Sequence, residues 1–258
     1  MHASNRRRRL LASRKGRGLL AYDMIKLGTA YIDEFPLSPG LRSHKSDRIS
    51  IGDTISSFAI QWVRLSIGLL VADRCICNNV SWEQLNASGL VFCKVIQIDG
   101  SWYLCRCLKV GVKGCDPNEW DAALAEAGED DEVWCWMGQC FWGQETPEGW
   151  VSGRAVRGYF SARYWNYYDA TSRIADVGFR PALEALIPAP LDYGPLVGTE
   201  ITLMDPNHKF ITGMLVSASD YDLGLETHSP LPDISKWAIP DGERIIIDRA
   251  SVGWLRKS

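Results

Sequence analysis

The chain has 258 residues, 46% hydrophobic and 23% charged, which is ordinary globular composition and enough for one sizeable domain plus a smaller one. Its net charge of -3 hides an asymmetry, because seven of the 28 Lys and Arg precede Met24 against the single acidic Asp23, leaving 21 basic and 30 acidic residues beyond. An acidic body argues against nucleic acid or an anionic membrane as the main partner.

Residues 1–23, MHASNRRRRLLASRKGRGLLAYD, are basic and lack an apolar run long enough for a signal-peptide core or a membrane span. They read as a disordered arm. It is either a nucleic-acid-binding or localisation tail, or an upstream extension outside the working protein. Met24-Ile25-Lys26-Leu27-Gly28 then opens a strand, which Pro36, Pro39 and Gly40 end, and residues 43–47 form a polar loop. Ile49 to Val71 holds two or three strands, or a strand and a short helix, and its apolar run at 66–71 is too short to cross a membrane.

Ser81-Trp82-Glu83-Gln84-Leu85 reads as a short capped helix. Two β-rich runs flank Asp99-Gly100, the clearest hairpin in the chain. Asp116 to Gly128 has an early Pro117, an acidic first turn and a Gly stop, the pattern of a helix. Beyond it the indoles crowd together, with seven of the eleven tryptophans lying between Trp102 and Trp165. Such density suits long loops pinned by indoles to a small sheet, in preference to a carbohydrate or peptide platform.

All eight cysteines fall between Cys75 and Cys140, in C-x-C pairs or singly, without the C-x-x-C spacing of zinc knuckles. Nothing directs the chain to an oxidising compartment, so reduced, metal-free thiols are expected, in a cytoplasmic protein.

Residues 154–183, RAVRGYFSARYWNYYDATSRIADVGFRPAL, hold the most informative stretch. Tyr159, Phe160, Tyr164, Trp165, Tyr167 and Tyr168 interleave with Arg163, Asn166, Asp169, Ser172 and Arg173 without an evident helical or strand period. Large amphipathic rings among hydrogen-bonding side chains are what a contact surface needs. The alternative is an aromatic core segment. Burying so many polar tips would require a partner for each, which favours exposure.

The Arg157-Gly158 step, the run containing Ser172-Arg173 and the closing Gly178-Phe179-Arg180 resemble the ending of the C-type-lectin fold in its formylglycine-generating-enzyme form. The phage and bacterial variable proteins diversified by retroelements share that ending, with their variable residues between the two landmarks. The likeness covers about residues 89–185, and Asn118-Glu119-Trp120-Asp121-Ala122-Ala123 is similar to the family's E-W-E-x-A motif. It implies an α+β class: a C-type-lectin-like fold with long aromatic loops over 24–187.

The enzymes of that family carry paired cysteines in or beside the final aromatic run, and their sulfoxide-synthase relatives a histidine-rich iron site. Here no cysteine follows Cys140 and no histidine lies between His44 and His208. The resemblance therefore implies a non-catalytic binding module without cofactor or metal, recognising a protein or glycan through the 159–176 surface, encoded by a phage or prophage and assembled into a virion. An enzyme or enzyme accessory on that fold is the alternative. Its Tyr, Phe, Ser, Ala, Arg, Asn, Asp, Thr and Ile are residues that adenine-directed mutation of Asn codons yields, and they suit an undiversified contact surface equally.

Pro188, Pro190 and Pro195 mark a linker at 188–197, and four or five short strands within 198–258 suggest a small SH3-like or Sm-like β-barrel. Its acidic residues disfavour RNA and point to docking or homo-oligomerisation.

Overall fold

The computed structural model describes residues 23–39, 41–42, 48–66, 68–190, 192–207, 209–227, 237–242 and 244–257. Apart from Asp23, the expected basic arm lies outside the described residues, and so does the polar loop at 43–47. The first third of the chain forms β1 (Asp23–Ile32), β2 (Phe35–Leu37), β3 (Leu41–Arg42), β4 (Ile49–Gly52), β5 (Ala59–Arg64), β6 (Leu69–Ala72) and β7 (Cys77–Asn78). All four residues of β6 are buried, because the strand is covered on both faces.

Helix α1 (Trp82–Ala87) starts in a capping box: Gln84 N–H donates to Ser81 Oγ, and Ser81 N–H to Gln84 Oε1. Strands β8 (Lys94–Ile98) and β9 (Ser101–Cys107) form the expected hairpin. Asp99 (φ 50°) and Gly100 (φ 79°) both take left-handed conformations there, as a type I′ turn requires. Helix α2 (Glu119–Ala127) is capped by the Asn118 side chain and stops at Gly128, and α3 (Asp131–Trp134) is a single turn.

Strands β10 (Cys140–Trp142), β11 (Gly153–Gly158), β12 (Trp165–Asp169), β13 (Val177–Phe179) and β14 (Pro181–Pro188) follow. The C-terminal part adds β15 (Glu200–Met204), β16 (Phe210–Ala218), β17 (Asp222–Glu226), β18 (Ala238–Asp241), β19 (Arg244–Asp248) and β20 (Trp254–Lys257).

Two sheets result. The larger has 14 strands, its longest path running β18-β19-β17-β16-β15-β20-β14-β6-β5-β1-β2, with β4 added at β1 and the β8–β9 hairpin at β14. The smaller has six, in the order β12-β11-β10-β13-β7-β3.

This corrects the expected α+β class. Strands hold 47% and helices 12% of the described residues, in a large antiparallel sheet beside a second sheet. The helical signals were real but short, at six, nine and four residues. Strands fill the regions around them.

The expected C-terminal barrel is corrected too, since no closed barrel forms among the described residues. The strands lie where turn chemistry puts them, but β20 pairs with β15 on one edge and with β14 on the other. Local strand patterns do not reveal such long-range closure. Ile187 and Pro188 pair with Leu255 and Trp254, and Tyr193 and Leu196 of the proline-rich stretch are buried in the C-terminal core.

Three main cores are present, one around Trp62, Trp82, Trp142 and Phe179, one around Trp120, Trp134 and Phe141, and the C-terminal one. A smaller cluster of Leu104, Leu186 and Met204, with Trp102 and Trp254 packed against it, joins the C-terminal part to the rest. The buried indoles donate to carbonyls distant in the chain: Trp62 to Leu27 of β1, Trp82 to Gly143, Trp142 to Val80 and Trp120 to Ala162. Each fully buried large side chain contributes roughly 1.5–3 kcal/mol by area, so these rings are principal stabilisers as well as pins.

Candidate functional site

The aromatic run lies at the end of the six-stranded sheet. Its residues 165–169 are not irregular, as their lack of period suggested, but form β12, paired in register with β11 from Arg157↔Trp165 to Gly153↔Asp169. Aromatic residues suit a pleated, half-buried surface, and this β-propensity was the overlooked signal. Alternation places Trp165, Tyr167 and Asp169 on one side and Asn166 and Tyr168 on the other.

None of the eleven expected site residues is buried. Phe160, Arg163, Asp169 and Arg173 are exposed, and Tyr159, Tyr164, Trp165, Asn166, Tyr167, Tyr168 and Ser172 are partly so. They do not form one uniform patch. Tyr168 turns inward against Trp142, with ring centroids 6.4 Å apart, and burial raises its phenol pKa. Trp165 also has a structural role, its Nε1 donating to the Gly111 carbonyl at 3.1 Å.

The outward rings form two sets of edge-to-face contacts. Trp150 lies 4.8 Å from Tyr167 and Tyr167 5.6 Å from Trp165, while Phe160 lies 4.8 Å from Tyr159 and 5.1 Å from Tyr164. Such pairs hold their rings in fixed mutual orientations. Large apolar groups are left in water at both ends of the β11–β12 ribbon, Phe160 (72%) and Met137 (67%) at one and Val151 (86%) at the other, although Phe35, Tyr221 and Ile239 are as exposed elsewhere. Met137, Trp150 and Val151 were absent from the sequence-based site. Nothing local in the sequence marks them, because β10 and β11 bring them there.

Beneath the run sits a rigid support. Tyr159 adopts φ 87°, rare for a residue with a side chain, and is held there because its N–H donates to the Trp136 carbonyl and its own carbonyl accepts from Gly138 N–H. Arg157, fully buried, donates from Nε and Nη2 to the Val110 carbonyl, from Nη1 to the Arg163 carbonyl at 2.7 Å and from Nη2 to Asp121 Oδ2 at 2.9 Å. Burial lowers its pKa, against the opposing pull of Asp121. Arg163 bridges Asp121 and Glu129. The Glu119-Trp120-Asp121 step thus ties α2 to three places: Arg106, the Ala162 carbonyl and the two site arginines.

Val177-Gly178-Phe179 forms β13, in the middle of the sheet between β10 and β7, with Phe179 fully buried. A Cβ on Gly178 would collide with Asn78 and the Cys77 backbone, so the neighbouring strand can approach only a glycine. Arg180, whose fork could hold loop carbonyls or the Asp169 and Asp176 carboxylates, is fully buried and takes carbonyls. It donates to the carbonyls of Ala72, Asp73 and Trp134, and its guanidinium lies over the Trp120 and Phe141 rings.

A second concavity, a cleft of about 670 Å³, opens between the body and the C-terminal part. At its base Arg106 pairs with Glu119 and Glu184, and Glu184 also pairs with Arg256. These four charges satisfy one another, and exposed Lys109 also lines the cleft.

Of the eight cysteines, all unpaired, Cys75, Cys77, Cys105, Cys107 and Cys140 are buried. Among the described residues no group of His, Cys, Asp and Glu is arranged to hold a metal, and no helix is long and apolar enough to cross a membrane. Comparison with protein-family models, with curated proteins and with solved structures finds no match.

Proposed function

We propose that the chain is a non-catalytic binding module that recognises a protein or glycan through the surface built by Phe160, Arg163, Tyr164, Trp165, Tyr167 and Asp169, with Met137, Trp150 and Val151 beside them. The observation that carries this reading is the two sets of exposed and half-exposed rings locked edge to face above the buried Arg157 support. Rigid aromatic anchors lose little conformational entropy on contact, and polar neighbours supply direction. Retroelement diversification in a phage or prophage extends the proposal. Its check is a near-copy of the 159–176 coding stretch, with adenines at the differing positions, in the neighbouring DNA.

The binding reading is tested with Phe160→Ser/Tyr164→Ala/Tyr167→Ala, screened against phage-displayed random linear peptides and a glycan array. Wild-type protein is expected to select binders that the triple variant loses while its melting temperature stays close to wild type. Retention of the same binders by the triple variant overturns the reading.

A further inference from the structure

Strand β12 ends the six-stranded sheet, and its pairing shows which of its backbone groups are spent. The Ala155 N–H and carbonyl are directed to Glu145 and Gly143, on the β10 side. Antiparallel alternation therefore turns Arg154 and Val156 toward β12, where they face Tyr168 and Asn166. Bonds just beyond the register agree: Gly158 N–H donates to the Tyr164 carbonyl and Ala170 N–H to the Ser152 carbonyl. Trp165, Tyr167 and Asp169 must then aim their N–H groups away from β11. Among the described residues those three amides, and the carbonyls of Trp165 and Tyr167, have no backbone partner.

Natural sheets guard such edges with proline, lysine, bulges or short length. This protein does so elsewhere. At the two ends of the large sheet's longest path, β2 carries Pro36 and β18 carries Pro240, while β3, at the far end of the small sheet, is two residues long. β12 has five residues, Trp-Asn-Tyr-Tyr-Asp, with no proline, lysine or register shift against β11. Exposed apolar side chains flank the β12 edge at both ends, Trp150 and Val151 at one and Met137 and Phe160 at the other.

We propose that β12 is a strand-addition site: an extended segment of another protein pairs with the outward amides of Trp165 and Tyr167 and lays alternate apolar side chains against the aromatic rim. This rests on the binding-module reading above and deepens it by choosing a peptide over a glycan. Strand addition draws affinity from main-chain hydrogen bonds and specificity from alternate side chains.

Charge selects the occupant further. Asp169 is exposed, its side chain accepts from Ser152 Oγ at 2.9 Å, and no cation pairs with it among the described residues. A Lys or Arg in the incoming segment completes that corner. A second copy of the chain brings the same acidic body, 30 acidic against 21 basic residues beyond Asp23, so repulsion disfavours β12 pairing with itself.

The test uses full-length protein and peptides selected from a phage-displayed random linear library. Tyr167→Ala removes the ring and keeps the amide. Tyr167→Pro removes both, and proline is tolerated at an edge position whose N–H faces solvent. Strand addition predicts that Pro weakens peptide binding at least tenfold beyond Ala, and that Asp169→Asn weakens binding of peptides bearing a basic residue. Should Tyr167→Pro fail to fold, amide hydrogen exchange on wild-type protein decides, since bound peptide must slow exchange at Trp165 and Tyr167. Equal losses for Ala and Pro with unprotected amides overturn strand addition and leave a side-chain surface standing. Peptide binding unaffected by any of these changes overturns both readings. Self-association in sedimentation that Tyr167→Pro abolishes assigns the edge to a second copy, and a glycan as sole binder assigns it to sugar; either result overturns the proposal.

Discussion

Arg157 Nη2 and Asp121 Oδ2 meet at 2.9 Å and join β11, the strand beside the aromatic edge, to helix α2. The arginine is fully buried, and its remaining donors hold the carbonyls of Val110 and Arg163. Removing one partner of such a pair strands the others without water. Arg157→Met should therefore cost about 3–5 kcal/mol. Arg157→Lys should recover little, because an ammonium lacks the planar fork that reaches all three acceptors. Urea denaturation checks both, and a loss under about 1 kcal/mol for Met would show the support to be dispensable.

Phe179→Ala should open a cavity between β10 and β7 and cost about 3–5 kcal/mol. Tyr164→Ala or Tyr167→Ala should stay within about 1 kcal/mol, as truncations at partly exposed positions usually do. Thermal melts that rank a tyrosine variant with the Phe179 variant would place the run in the core.

Glu119 gives the protein an acid-sensitive joint. Burial raises its pKa, but hydrogen bonds from Arg106, that guanidinium's charge and the Lys109 N–H outweigh burial and leave it lowered. A carboxyl whose folded pKa lies below its unfolded value adds stability above the ordinary glutamate range, and this is lost as pH falls through the folded value. Glu119→Gln should lower stability at neutral pH and flatten the decline into acid, as read from denaturation midpoints across that range.

The thiols should react in order of exposure. Cys115 is exposed, Cys93 and Cys135 are half-buried, and burial raises the pKa to about 11 for Cys75 and about 12 for Cys77, Cys105 and Cys140. Alkylation followed by mass spectrometry should label Cys115 first and the five buried cysteines only on unfolding. Early labelling of Cys77 or Cys107 would contradict the packing.

The sequence disclosed elements better than architecture. The Asp99-Gly100 turn, the capped α1 and α2 and most C-terminal strands were legible because each is set by chemistry within a few residues. Phe179 in the core was legible from period-two alternation. What α2 ties together was not, since Arg106, Ala162 and Arg157 reach it from distant parts of the chain. The same limit hid the joining of β14 to β20 and the arrival of Met137, Trp150 and Val151 beside the aromatic run. β12 was missed for a different reason: five residues with rings on both faces show no apolar-polar alternation.

Strand β14 belongs to two neighbourhoods at once, pairing with β6 and β9 along its first part and with β20 at its end. The indoles of Trp102 and Trp254, 5.9 Å apart, and the Glu184–Arg256 pair close the same junction. A shared strand leaves no free swivel, so whatever grips the C-terminal part also sets the direction in which the aromatic edge faces. Copies fixed side by side on a scaffold would present their edges in parallel, and weak single contacts would then add as avidity without any change in the site itself.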